Sequence, residues 1–142
     1  MTACILVVDE HVWARQALCA VLEASGYHTE QAADLTDVHQ RLRRAGNNRR
    51  PDLTLVELVR DRGNGFSLAA WLQAHGCGVV VLLSDRDDEA DHLWAQSRGI
   101  RHTWSRAQGL DALRQQVHDM LAAPAGTGRE APRQAQPTGP WP

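Results

Sequence analysis

Three nearly continuous apolar runs, with helical patterns between them, predict an α/β fold. The expected architecture is a (βα)5 doubly wound three-layer sandwich on a five-stranded parallel sheet. Residues 4–8 (Cys-Ile-Leu-Val-Val), 53–58 and 79–83 are short, apolar and rich in β-branched side chains. That is the composition of strands buried on both faces, as parallel sheets bury them. Strands that alternate with helices imply a sheet covered on each side, and right-handed crossovers then narrow the topology to the doubly wound form.

Each element has its own reason. After the first strand, residues 12–23 place Trp13, Ala17, Leu18, Val21 and Leu22 at helical spacing. Ser25-Gly26 stops that helix, the glycine suiting its C′ position. Residues 27–31 form a short second strand. Residues 35–45 are a second helix on Leu35, Val38 and Leu42, closed by Gly46-Asn47-Asn48. The strand at 53–58 is followed by the break Gly63-Asn64-Gly65 and a third helix over 66–74. Gly76-Cys77-Gly78 turns the chain into the most hydrophobic strand, 79–83. Residues 87–96 are a charged helix, and 101–104 a short polar strand suited to a sheet edge. Leu110, Leu113, Val117, Met120 and Leu121 mark a last amphipathic helix. Residues 1–123 form the domain. Residues 124–142 hold five of the six prolines and almost no aliphatic side chains, the composition of a disordered Pro/Gly-rich tail.

The bulk numbers exclude several function classes. With 142 residues and 43% hydrophobic side chains, the chain can bury one core of ordinary size. A net charge of −2 offers no electrostatic case for nucleic acid. No run of eighteen apolar residues predicts a membrane span, and no basic n-region predicts a signal peptide. Three scattered cysteines, Cys4, Cys19 and Cys77, fit reduced thiols in the cytoplasm better than a disulfide framework.

In doubly wound sheets the site lies at the carboxyl ends of the strands. Strand one ends in Asp9-Glu10, strand three in Glu57 and strand four in Ser84-Asp85, while Ser105-Arg106 follows strand five. Carboxylates grouped this way suit Mg²⁺, which takes one or two of them and keeps several waters. A hydroxyl and a cation beside them suit a phosphoryl group.

These residues also carry a resemblance. Ile5-Leu6-Val7-Val8-Asp9-Glu10 resembles the opening of a bacterial response-regulator receiver domain, the flavodoxin/CheY-like fold. Pro51-Asp52-Leu53-Thr54-Leu55-Val56-Glu57 resembles its phosphoacceptor strand, Asn64-Gly65 falls at the family's distance beyond it, and residues 79–84 resemble the strand bearing the switch hydroxyl. Gly99 matches the glycine before strand five. The resemblance covers about residues 3–121. Over residues 85–99, with Trp94, the chain is similar to twitching-motility regulators of the type IV pilus chemosensory system.

The resemblance implies a phosphorylation switch: an acidic pair and an acceptor aspartate hold Mg²⁺, and a phosphohistidine of a histidine kinase supplies the phosphoryl group. A Ser/Thr and a Lys then bind the phosphate, and the fourth helix, fifth strand and fifth helix change their binding face. This chain keeps Asp9, Glu10 and Ser84. It departs at the centre: Glu57 replaces the acceptor aspartate, Arg106 the lysine, Ala107 the proline after it, Asp61 a usual proline and Thr103 the switch aromatic. Trp104 adjoins Thr103, but strand alternation sends it to the other face. A glutamate carries its carboxylate roughly one bond length, ~1.5 Å, farther out. In-line phosphoryl transfer is mostly positioning, so such a displacement costs on the order of a hundredfold in rate. Arg106 has the planar fork to clamp Glu57 bidentately.

The reading is a degenerate, stand-alone receiver, a binding module rather than an enzyme. It needs no cofactor and acts without phosphorylation on a signalling protein: a histidine kinase or a chemosensory or motility component. Trp94, His102, Thr103 and Trp104 are the expected output face, tryptophan being favoured at binding hot spots. The alternative is an active phospho-receiver in which Asp9, Glu10 and Glu57 hold Mg²⁺. A nucleotide binder is disfavoured, since no glycine-rich phosphate loop follows strand one. The run of five acids over residues 85–91 reads as a hydrated helix start, and Arg41, Arg43, Arg44, Arg49 and Arg50 as a solvated helix end favoured by the dipole.

Overall fold

In the computed structural model, described over residues 2–45, 50–58, 64–85 and 88–122, strands and helices alternate throughout. The order is β1 (Cys4–Val8), α1 (Val12–Ala24), β2 (His28–Ala32), α2 (Leu35–Ala45), β3 (Leu53–Glu57), α3 (Asn64–Ala74), β4 (Val79–Ser84), α4 (Glu89–Ser97), β5 (His102–Ser105) and α5 (Leu110–Ala122). A short 3-10 helix, Arg106–Gln108, joins β5 to α5. The five strands form one parallel sheet in the order β2-β1-β3-β4-β5. This is the doubly wound sandwich that the apolar runs predict. The order reverses between β1 and β3, so the crevice at their carboxyl ends is where a site is built.

Period-two alternation divides the sheet between two cores. Leu6, Val8, Val56, Val80 and Leu82 face one way and pack with Val38, Ala69, Leu72 and Ala95. Ile5, Val7, Leu53, Leu55, Val81 and Leu83 face the other way and pack with Leu18, Leu22, Leu113 and Val117. Gly78 is required where α3 returns to β4. Its φ is +74°, and a Cβ there would lie 2.3 Å from the Asp52 carbonyl oxygen.

Some local expectations shift. Trp13 is 82% exposed and Ala17 is exposed, because the buried side of α1 is Leu18, Cys19 and Leu22. Trp13 and Leu18 are five residues apart, about 140° around a helix of 3.6 residues per turn. The sheet ladder moves β2 and β5 one residue along from the spans read off the sequence, with Cys4 opposite His28 and Ser84 opposite Ser105. Helix α4 begins at Glu89, because the Asp88 side chain accepts from the Ala90 N–H and caps it. The Pro/Gly-rich segment, Asp61 and Arg49 lie outside the described residues. Among the described residues no helix is long and apolar enough to cross a membrane.

Candidate functional site

Three side chains meet at the carboxyl end of the sheet. Asp9 follows β1, and its backbone N–H still reaches the Ala32 carbonyl at 3.0 Å, which fixes its position. Glu57 ends β3, where the Leu58 N–H donates to the Leu83 carbonyl at 2.7 Å. Arg106 opens the 3-10 turn after β5, a turn capped by the Ser105 hydroxyl, which accepts from the Ala107 N–H at 3.0 Å. From there the guanidinium spans the crevice. Its Nε donates to Glu57 Oε1, and its Nη2 donates to Asp9 Oδ2 at 3.2 Å.

The bridge is largely withdrawn from water. The side chains of Asp9, Glu57 and Arg106 are 2%, 10% and 20% exposed. Asp9 uses its other oxygen, Oδ1, to accept from the His11 N–H at 2.9 Å, and His11 Nδ1 lies 3.3 Å away. Its backbone carbonyl accepts from Arg15 Nη1 at 2.7 Å. Burial pushes the Glu57 carboxyl above its ordinary pKa; the Arg106 guanidinium pulls it back, while Asp9 and Asp85 push it up further. Glu10 joins Asp9, Glu57, Leu68 and Trp71 in lining a cavity of about 470 Å³ between α2 and α3.

The other candidates lie around this centre. Ser84 is buried at the end of β4, and its hydroxyl donates to Asp91 Oδ2 at 3.2 Å. Asp91 is therefore not a hydrated helix-start acid: it is 7% exposed. Asp91 precedes the fully buried Ala95 by one helical turn and so shares its side of α4. Trp94 on α4 is 55% exposed, with the Arg98 guanidinium 4.5 Å over its ring. Thr103 is in register with Leu82, whereas Trp104 is in register with Leu83 and packs on the α1–α5 core. Half-buried His102 is pushed below its ordinary pKa, first by burial and then by Arg101.

Residues 5–118 match the response regulator receiver domain family. The chain belongs to that family. Among curated relatives it is 29% identical over 89 residues to the aerobic respiration control protein ArcA of Escherichia coli K12, covering 63% of this chain and 36% of ArcA. It is 26% identical over 123 residues to the KDP operon transcriptional regulatory protein KdpE of the same strain, covering 87% of this chain and 53% of KdpE. The chain thus spans roughly a third to a half of the length of these relatives. A response regulator from Thermotoga maritima superposes with a TM-score of 0.73 at 20% identity, covering 87% of this chain and all of that one. Receivers are signalling modules of two-component systems, and the five-stranded sandwich here is their CheY-like fold.

Arg106 does not fork onto Glu57 alone but divides its donors between Glu57 and Asp9. Nor does a magnesium site of Asp9, Glu10 and Glu57 fit. Two of the three carboxylates already engage one guanidinium, and among the described residues no three His, Cys, Asp or Glu side chains are grouped to hold a metal ion.

The electrostatics make a testable prediction. The folded Glu57 carboxyl keeps its proton to a higher pH than the unfolded one. The folded state therefore binds more protons in the window just above the usual glutamate range, and stability falls as pH rises through it. Glu57→Gln removes that titration. The stability of the variant minus that of the parent, from urea unfolding at stepped pH, is expected to rise with pH across that window and level off above it. A difference that stays flat would contradict the raised carboxyl.

Proposed function

We propose that this receiver is a phosphorylation-independent protein-interaction module, held in one signalling state by Glu57 and Arg106. One observation carries the reading: a single guanidinium bridges Asp9 and Glu57, and so occupies the position between the carboxylates. Phosphoryl transfer to a receiver needs a carboxylate free to attack and a cation to neutralise the developing charge. In this pocket the carboxylate at the acceptor position is an arginine-paired glutamate. An anionic group paired with a cation at the end of β3 is also the charge pattern of a phosphorylated aspartate beside its lysine, which supports a mimic of that state.

The output surface in this reading is α4 and β5: Trp94 on α4 is exposed, His102, Thr103 and Trp104 on β5 are half-buried, and Trp104 packs on the α1–α5 core. The partner is a signalling protein, either a histidine kinase or a chemosensory or motility component. Intact mass after incubation with Mg²⁺ and a small acyl-phosphate donor tests the proposal. The expected result is no added phosphoryl mass on the parent chain; stoichiometric labelling would overturn it.

A further inference from the structure

A buried hydrogen bond links the pocket to helix α4. Ser84 and Asp91 are 2% and 7% exposed, and the Ser84 hydroxyl donates to Asp91 Oδ2. A carboxylate so little exposed is tolerated only where its oxygens have partners. Asp91 lies in the first turn of α4, on the side of buried Ala95, while Leu93 and Trp94 on the same helix stay 58% and 55% exposed. What holds Asp91 therefore holds the helix that presents those two apolar side chains.

The other end of the bond leads back to the pocket. Ser84 is in register with Ser105, the residue before Arg106. Leu83, the residue before Ser84, is in register with Glu57. The route from the guanidinium bridge to α4 is thus two neighbouring ladder positions and one side-chain hydrogen bond.

We propose that Asp91 is a positioning residue: through its bond to Ser84 it ties α4 to the end of β4, and so couples the Leu93–Trp94 surface to the Arg106 bridge. The inference rests on the reading above in taking that bridge as the state of the pocket. It names a residue that the resemblance does not assign, and it turns the switch hydroxyl into a permanent tether.

Amide hydrogen exchange of the full chain tests it. Ser84→Ala and Asp91→Ala are each expected to speed exchange of the α4 amides by about tenfold, the size expected for one lost buried hydrogen bond. The double variant should exchange no faster than the faster single one. Asp91→Asn keeps an acceptor oxygen and should stay within about threefold of the parent. Arg106→Ala should speed the same amides in the parent chain and leave them unchanged in the Ser84→Ala background. A purely structural Asp91 would not produce that dependence. Unchanged α4 exchange in both single alanine variants would overturn the proposal. So would multiplying effects in the double variant, or an Arg106→Ala response that survives without Ser84. None of these readings involves phosphate. Phosphodonor labelling and α4 exchange are separate readouts, so failure of the proposed function and failure of this inference are distinguishable.

Discussion

Arg106→Ala is expected to destabilise the receiver by about 2–4 kcal/mol near neutral pH, below the full cost of breaking a buried ion pair because the guanidinium is partly exposed. The loss is larger than that of an ordinary surface pair, which is worth about 0–1 kcal/mol. Asp9 and Glu57 are almost withdrawn from water, so removing their shared cation leaves two like charges facing each other without compensation. The crevice can relieve this by protonating one of them. Glu57 is the group that will take the proton, since burial already raises it and Asp9 and Asp85 oppose its charge. The penalty should therefore shrink as pH falls toward the raised Glu57 value. Adding Glu57→Gln to Arg106→Ala should recover part of the loss, a non-additive coupling that marks Arg106 and Glu57 as one unit. Urea unfolding of the four proteins at two pH values measures all of this. A change below about 0.5 kcal/mol in Arg106→Ala, the scatter of ordinary surface substitutions, would show that the bridge does not hold the pocket together.

Much of this arrangement is legible in the sequence, and the exceptions have physical causes. The strands β1, β3 and β4 announce themselves because a parallel sheet buries both faces, which leaves runs such as Val79-Val80-Val81-Leu82-Leu83 without a polar interruption. Their carboxyl ends then place Asp9, Glu57 and Ser84 on one edge, and Arg106 reaches that edge from the turn after β5. Helical spacing alone failed for α1. It counts apolar residues without knowing which stripe meets the sheet, and Trp13 falls outside the stripe defined by Leu18 and Leu22. The bridging pose of Arg106 depends on the 3-10 turn and its Ser105 cap, a three-residue feature without periodicity. The Ser84–Asp91 bond was hidden by composition: five acids between residues 85 and 91 look like a solvated run, and only burial separates Asp91 from its neighbours.

On the proposed reading, gaining a phosphorylation switch should take two substitutions, not one. Glu57→Asp withdraws the carboxylate by roughly one bond length, ~1.5 Å, toward the position an in-line acceptor needs. Yet Arg106 would remain beside Asp9, where a guanidinium competes with any divalent cation for the same oxygen. Arg106→Lys alone exchanges the planar fork for a compact ammonium, which cannot bridge two carboxylates in the same way, but it leaves the carboxylate one methylene too long. Glu57→Asp combined with Arg106→Lys is expected to gain Mg²⁺-dependent labelling by a small acyl-phosphate donor. The rate should exceed that of either single variant by at least about tenfold, a fraction of the hundredfold that a 1 Å misplacement can cost. Time-resolved intact mass reads the gain directly. Equal labelling of Glu57→Asp and the double variant would show that the guanidinium is no obstacle and that side-chain length alone silences the pocket. No labelling of the double variant would place the block at a third position. Thr103 and Ala107 are the first to restore, because each departs from the receiver pattern within three residues of Arg106.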